Sequence, residues 1–340
     1  MNPTDGIGTP PGGGDAAARP SNTTRWRAVT PILSVVLFAV AAWALRRELH
    51  ETSIGAIVQN VRRYDAAHIL LALLCTVASF LALGAIELLA LRYVGRRDVS
   101  RTTAVTTGFV AHAFSQSVGL ALLTGAAVRL RAYRSRGVDA VTVARLSAFV
   151  TLTVALGLLA TGAAALIASS APLRVGRMAM PVKPLGATLA LVVLAYLVWI
   201  AIGRGAEPTG RWGIARPSTT MAISQIVLAS LDWLITGTVL FALLPSSLAI
   251  SYVELLRIYL SAQTVAVASH VPGGLGVFEL VVLTLGPTDV PGTRVALIAA
   301  LVMFRVVYYL APLVAAIVVA GGAELTSRRA GASAVMSAAA

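Results

Sequence analysis

The stretch SHVPGGLGVFE, residues 269–279, sets Pro272, Gly273, Gly274 and Gly276 directly before the carboxylate of Glu279. Proline removes a backbone donor and glycine favours turns, so no continuous helix is expected here. Where a helix restarts, its free N–H groups and the positive end of its dipole can hold a phosphate or a carboxylate. The restart is predicted near Val277, which puts Glu279 in the first turn. There the carboxylate either contacts a ligand or ion, or acts as a plain cap on the dipole. A second stretch, LLTGAAVRL at 122–130, carries Gly125 and Arg129, whose guanidinium suits bidentate contact with a phosphate. Glu87, Asp232 and Arg305 are further ionisable residues inside apolar runs. Each costs about 2.5–3.5 kcal/mol at mid-membrane unless paired or wetted, which makes it a functional candidate; the alternative is mutual pairing, for example Asp232 with Arg305.

The elements that must position these residues are membrane spans. The chain has 340 residues, 57% hydrophobic and 12% charged, with mean hydropathy +0.83, whereas soluble domains carry about a quarter charged residues. Full helical spans are predicted at Val29–Leu45, Ala66–Leu91, Val143–Ile167, Leu185–Gly203, Thr219–Leu244 and Val295–Ala320. Each is near the ~20 residues that cross ~30 Å of hydrocarbon. Alternating strands of the barrel type are absent. Residues 1–28, rich in Gly, Pro, Ala and Thr, read as a disordered cytoplasmic tail, and 321–340 as a second cytoplasmic tail.

Two more apolar segments, Ala104–Val128 and Val253–Leu285, are interrupted near their middles. Arg92, Arg96, Arg97 and Arg101 precede the first, and Arg129, Arg131, Arg134 and Arg136 end or follow it. A single crossing would leave one arginine cluster on the wrong side, so a re-entrant hairpin from the cytoplasm is expected. The second segment then enters from outside, and Arg328 and Arg329 return to the cytoplasm with the C-terminus. Arg46, Arg47, Arg62 and Arg63 fall in an outer loop of this scheme, against the usual charge bias. The layout repeats: LLTGAAVRL lies about 150 residues before GGLGVFELV, with Gly125 answering to Gly276. The expectation is an all-α polytopic membrane protein of about six full spans plus two re-entrant broken-helix hairpins. Its halves, about 66–167 and 219–320, form an inverted repeat with a polar cavity between them.

The net charge of +13 comes from arginines at the ends of apolar runs, so lipid headgroups rather than nucleic acid are the expected anionic partner. Cys75 stands alone, without disulfide or metal spacing. His112 and His270 flank the two breaks without a carboxylate in register, which favours packing or hydrogen bonding over a metal. No phosphate loop, HExxH, GxSxG or dinucleotide glycine pattern is present, and neither a metal nor a cofactor is expected.

The stretch RYVGRRDVSRTTAVTTGFVAHAFSQSVGLALLTGAAVRLRAYRSRGV (92–138), together with SHVPGGLGVFE, resembles the membrane domain of the lysylphosphatidylglycerol synthase/flippase family. The likeness runs from about Trp26 to Ala320 and implies a domain in the cytoplasmic membrane that moves aminoacylated phosphatidylglycerol between leaflets. Carried over by motif, the matching positions are Arg129, Gly125, Pro272, Gly273, Gly274, Gly276 and Glu279. Bifunctional members add an aminoacyltransferase domain after the membrane part. Here GGAELTSRRAGASAVMSAAA (321–340) stands instead, so that domain is expected to be absent. Ala126 stands where a second glycine is expected.

The leading expectation is a non-enzymatic flippase for an anionic or aminoacylated phospholipid. Arg129 and the helix start near Val277 would take the phosphate, and Glu279, with Asp232 or Glu87, would balance an amino group. A flippase for a polyprenyl-linked sugar and a non-transporting partner of a separate aminoacyltransferase or glycosyltransferase are the alternatives. A lipid-modifying enzyme has least support, since no nucleophile–base pair is visible. A homo-oligomer is left open.

Overall fold

The computed structural model describes residues 54–322, apart from 63, 119–120, 170–172, 176–177, 204–215, 246–247 and 288–291. The expected span Val29–Leu45, the N-terminal tail and residues 323–340 lie outside the described residues. The elements are α1 (Ile54–Arg62), α2 (Ala66–Tyr93), α3 (Arg101–Val118), α4 (Ala121–Arg134), α5 (Ala140–Ala168), α6 (Val182–Ile202), α7 (Thr219–Ala242), α8 (Tyr252–Ser269), α9 (Val277–Leu285) and α10 (Thr293–Phe304). A short antiparallel ribbon, Leu173–Val175 with Met178–Met180, links α5 to α6. Past Phe304 the last helix runs through a π-helical turn, Arg305–Leu310, and on to Gly322.

The protein is an all-α polytopic membrane protein. Among the described residues five helices, α2, α5, α6, α7 and the α10 run to Gly322, are long and apolar enough to span a bilayer. They match the five described spans expected from sequence to within a few residues at each end. Along α2 the leucines and valine at 70, 74, 77 and 81 face outward, while Thr76, Ser79 and Glu87 face inward. Lipid offers an apolar solvent, so the outside is oily and the polar groups are gathered inside. Helices begin where side chains take up the first free amides: Asp65, Asp139, Ser218 and Ser251 accept from the N–H groups of Ala67, Thr142, Met221 and Glu254.

Both broken segments double back on themselves. In the first, a methyl placed on Gly125 of α4 would lie 2.8 Å from Ser115 Oγ and 3.9 Å from the Ala111 carbonyl of α3, so the limbs run antiparallel. Its base is clasped by Arg96, which donates to the carbonyls of Gly137 at 2.9 Å and Arg136 at 2.6 Å, so the chain enters and leaves on one face. Asp98 holds the same guanidinium. Accepting from Arg96 keeps the Asp98 carboxyl below its usual value. Its contribution is therefore present at neutral pH and is lost as pH falls through that lowered value. In the second segment, the Tyr259 ring of α8 meets the Phe278 ring of α9 edge-on at 5.9 Å, and the residues at its two ends, Ile250 and Gly286, line one small apolar cavity.

Chain direction sets the two bases on opposite faces. Tyr64, just before α2, donates to the carbonyl of Leu243 at the far end of α7, so these spans are antiparallel. From the first base the chain crosses along α5, returns along α6 and crosses again along α7 before the second hairpin begins. Thr153 meets Gln225 and Gly157 packs on Ala229, confirming that α5 and α7 run parallel.

Close approach of α5 and α7 depends on Gly157, where an added methyl would collide with the Ala229 side chain and backbone. Gly157→Ala is expected to lower thermal stability in detergent by about 1–3 kcal/mol through overpacking. Gly162→Ala, whose methyl would meet only Leu189 Cδ1 at 3.9 Å, should melt like the parent.

Candidate functional site

The site is built where the two hairpins face each other. On the first hairpin, Arg129 of α4 reaches Glu87 of α2: Nε donates to Oε1 at 3.0 Å and Oε2 at 2.9 Å, and Nη2 to Oε2 at 2.8 Å. Tyr133, one turn beyond Arg129, donates to Glu87 Oε1 at 2.9 Å. Glu87 is fully buried and Arg129 is 4% exposed. Bare glycines make the room: a methyl on Gly108 would sit 2.9 Å from Glu87 Cβ, and one on Gly125 would sit 2.9 Å from Arg129 Nη1. Removing charges from water is offset only where their hydrogen bonds are completed, and the two-atom fork supplies that here.

On the second hairpin, α8 ends at His270 in the left-handed region, with φ 55°. Pro272–Gly274 form one 3-10 turn, Gly273 and Gly276 take positive φ, and α9 starts at Val277 as expected from sequence. Glu279 caps this start, accepting from the Gly276 N–H at 2.8 Å. Its other oxygen accepts from Arg305 Nε at 2.6 Å, and Arg305 Nη1 donates to the Gly273 carbonyl at 2.7 Å. The same guanidinium lies over the Tyr309 ring at 4.4 Å and the Phe278 ring at 5.5 Å. Pro272 is exposed at the apex, whereas Gly274, Gly276 and Glu279 are buried.

The two apices touch. A methyl on Gly273 would lie 3.3 Å from the carbonyl of Gln116 and 3.4 Å from that of Ser117, at the tip of α3. Beside this contact Gln116 Oε1 and Ser117 Oγ are buried with no hydrogen-bond partner among the described residues. The halves carry their ion pairs with reversed polarity. In the first, the carboxylate is on a span and the guanidinium on the hairpin; in the second, Glu279 is on the hairpin and Arg305 on the span.

The example pairing of Asp232 with Arg305 is not made. The π-helical turn aims Arg305 at Glu279 and the break, and Asp232 instead accepts from Ser79 Oγ at 2.5 Å. His112 Nδ1 bonds to the Gly108 carbonyl and His270 Nδ1 to that of Ala268, the hydrogen-bonding role expected of both. Gln263 Nε2 donates to the hydroxyls of Tyr259 and Tyr309. Among the described residues no cluster of three or more His, Cys, Asp or Glu side chains could hold a metal.

Over 316 residues, 90% of this chain and 96% of the relative, the sequence is 31% identical to the uncharacterized protein slr0712 of Synechocystis sp.. The chain belongs to the family of that protein. Within the same range of similarity is the inner membrane protein YbhN of Escherichia coli, 26% identical over 86% of this chain and 92% of its own length. A phosphatidylglycerol lysyltransferase of Staphylococcus xylosus is 21% identical over 84% of this chain but only 33% of that protein. One from Staphylococcus epidermidis is 33% identical over 31% of this chain and 13% of its own length. No protein-family model matches the chain.

In this member of the family, Ser79, Thr236, Tyr133 and Tyr308 belong to the polar interior although sequence reasoning did not single them out. Tyr133 was findable, four residues after Arg129 on one helical face. Tyr308 was signalled by a tyrosine pair just after Arg305 in an apolar span, while the π-helical turn that aims it has no sequence signature. Arg129→Gln is expected to strand the buried Glu87 and destabilise the protein by about 3–5 kcal/mol. Adding Glu87→Gln should restore much of that loss, and a double-mutant cycle of chemical unfolding in detergent measures the coupling.

Proposed function

We propose that this chain carries the headgroup of a phospholipid between leaflets of the cytoplasmic membrane, the acyl chains remaining in the bilayer. The observation that supports it most is the meeting of two hairpins based on opposite faces, each tied to the body by an arginine–glutamate ion pair. Helix breaks inside a membrane are tolerated where they line a path or are buried by protein, and opposed breaks at a repeat interface are a recurring transporter arrangement. Among relatives, the phosphatidylglycerol lysyltransferases are named for an aminoacylated lipid, which suits an anionic or aminoacylated cargo here.

The chemistry is an exchange of partners. A headgroup phosphate takes a guanidinium, Arg129 or Arg305, from its carboxylate, and a cargo ammonium takes the Glu87 or Glu279 carboxylate so released. A zwitterionic or aminoacylated headgroup carries both charges and replaces both halves of a pair, whereas a bare phosphate leaves a buried carboxylate unpaired. Gln116 Oε1 and Ser117 Oγ are acceptors for the ammonium or for glycerol hydroxyls at the apex. Gly273, Gly274 and Gly276 leave the backbone open to close approach, and Pro272 maintains the break. On this reading both termini lie in the cytoplasm, and the cycle makes or breaks no covalent bond.

The test is the purified chain reconstituted in phosphatidylethanolamine–phosphatidylglycerol vesicles containing lysylphosphatidylglycerol, with leaflet-resolved amine labelling. Exchange above protein-free vesicles is expected, and Glu279→Gln should abolish it at unchanged expression. Transport unchanged in Glu279→Gln removes that carboxylate from the mechanism. A well-folded wild-type chain that moves no lipid supports a docking role for a separate lipid-modifying enzyme instead.

A further inference from the structure

Asp232 lies in the span α7, 5% exposed, and no guanidinium or ammonium bonds to it among the described residues. It faces three hydroxyls from three elements. Ser79 Oγ of α2 is 2.5 Å from Oδ1, 3.0 Å from Tyr308 OH and 3.3 Å from Thr236 Oγ1. Thr236 Oγ1 is 2.8 Å from the Asp232 carbonyl and 3.1 Å from Tyr308 OH. α8 contributes Tyr259, whose phenol oxygen accepts from Gln263. Thr153 of α5 and Tyr196 of α6 meet α7 at Gln225, about two turns earlier, and the Val154 carbonyl of α5 accepts from Trp233 Nε1 beside Asp232, so neither helix brings a charged group to the carboxyl by these contacts. The nearest arginine on the π-helical turn, Arg305, is committed to Glu279 and the Gly273 carbonyl.

The hydroxyl protons are few. Ser79 spends its single proton on Asp232 Oδ1, Tyr308 donates to Ser79 Oγ, and Thr236 directs its own proton to the Asp232 carbonyl or the Tyr308 oxygen. A buried carboxylate is held as an anion by two or three donors or by a cation, and this one receives a single side-chain hydrogen bond. The arrangement suits a neutral acid carrying its own proton on the second oxygen.

We propose that Asp232 is a proton-binding site whose occupancy is tied to closure of the two hairpin apices, adding a coupling ion to the function proposed above. The link is the π-helical turn: Arg305 at its start holds the Gly273 carbonyl, and Tyr308 three residues on closes the hydroxyl cluster. Such turns are rare, strained insertions, and relaxing one to α geometry shifts Tyr308 relative to Arg305. Asp232 gives its proton to water and takes one back, with no other bond made or broken. The anion draws water into the cluster, Tyr308 leaves Ser79, and Arg305 on the same turn releases the break.

The experiment uses the full chain in phosphatidylethanolamine–phosphatidylglycerol nanodiscs. Infrared difference spectra across a pH titration should show a protonated carboxyl band at neutral pH that Asp232→Asn removes. In a Cys75→Ala background, thiol labelling of Ser117→Cys, normalised to His68→Cys at the exposed start of α2, should rise by up to roughly tenfold per pH unit as pH approaches the midpoint and level off above it. Asp232→Asn should keep that rate slow and flat. Tyr308→Phe, which keeps the ring against Phe304 but removes the hydroxyl that joins Ser79 in the closed, protonated state, should move the midpoint to lower pH. A band indifferent to Asp232→Asn, a pH-independent Ser117→Cys rate, or an unshifted midpoint in Tyr308→Phe overturns the proposal. Both arms read protonation without lipid movement. A failed lipid assay with these arms intact removes the flippase reading alone, and lipid movement with flat labelling removes the proton site alone.

Discussion

The Gly273 carbonyl, freed by the Pro-Gly-Gly break at membrane depth, must find a donor, because hydrocarbon offers none and an unsatisfied group there costs several kcal/mol. Arg305 supplies it. A guanidinium brought to that depth needs a counter-charge, which Glu279 provides, and the same carboxylate caps the helix that restarts beyond the break. One broken helix thus requires an arginine, a glutamate and the π-helical turn that aims the arginine, and the aromatic rings of Phe278 and Tyr309 complete the enclosure.

The first half meets a similar demand by other means. Its ion pair is deeper and fully forked, with Tyr133 closing the remaining acceptor, and two glycines on α3 and α4 let it fit between limbs that would otherwise clash. The pair acts as a rivet between α2 and α4, while the Arg96 clasp ties the hairpin base to a single face. Structural roles do not oppose a transport role. A buried pair whose two members can each be matched by one end of a zwitterion is stable when alone and exchangeable when that zwitterion arrives.

Much of this was legible in the letters. Apolar runs give the spans, because their length is set by the bilayer rather than by neighbours, and the arginines flanking 104–128 give the first hairpin, because one crossing would strand a cluster. The helix start at Val277 and the capping position of Glu279 follow from Pro272 and the glycines. Partner choice was not legible. Asp232 and Arg305 are chemically suited to each other, and only the register of a π-helical turn sends Arg305 to Glu279 and leaves Asp232 to Ser79. Nor could letters show that the apices touch through backbone, at Gly273 against Gln116 and Ser117, since that contact uses no distinctive side chain.

The reversed polarity of the two ion pairs has an electrical consequence. The hairpin from one face bears a positive charge, Arg129, and the hairpin from the other bears a negative one, Glu279. If one loop advances while the other withdraws, both charges travel the same way across the membrane field and their work cancels. If both advance together, the opposite charges travel opposite ways and the work adds, at about 2.3 kcal/mol per elementary charge for each 100 mV fully crossed. Rocking is therefore indifferent to the membrane potential, and simultaneous opening is the motion that the potential governs.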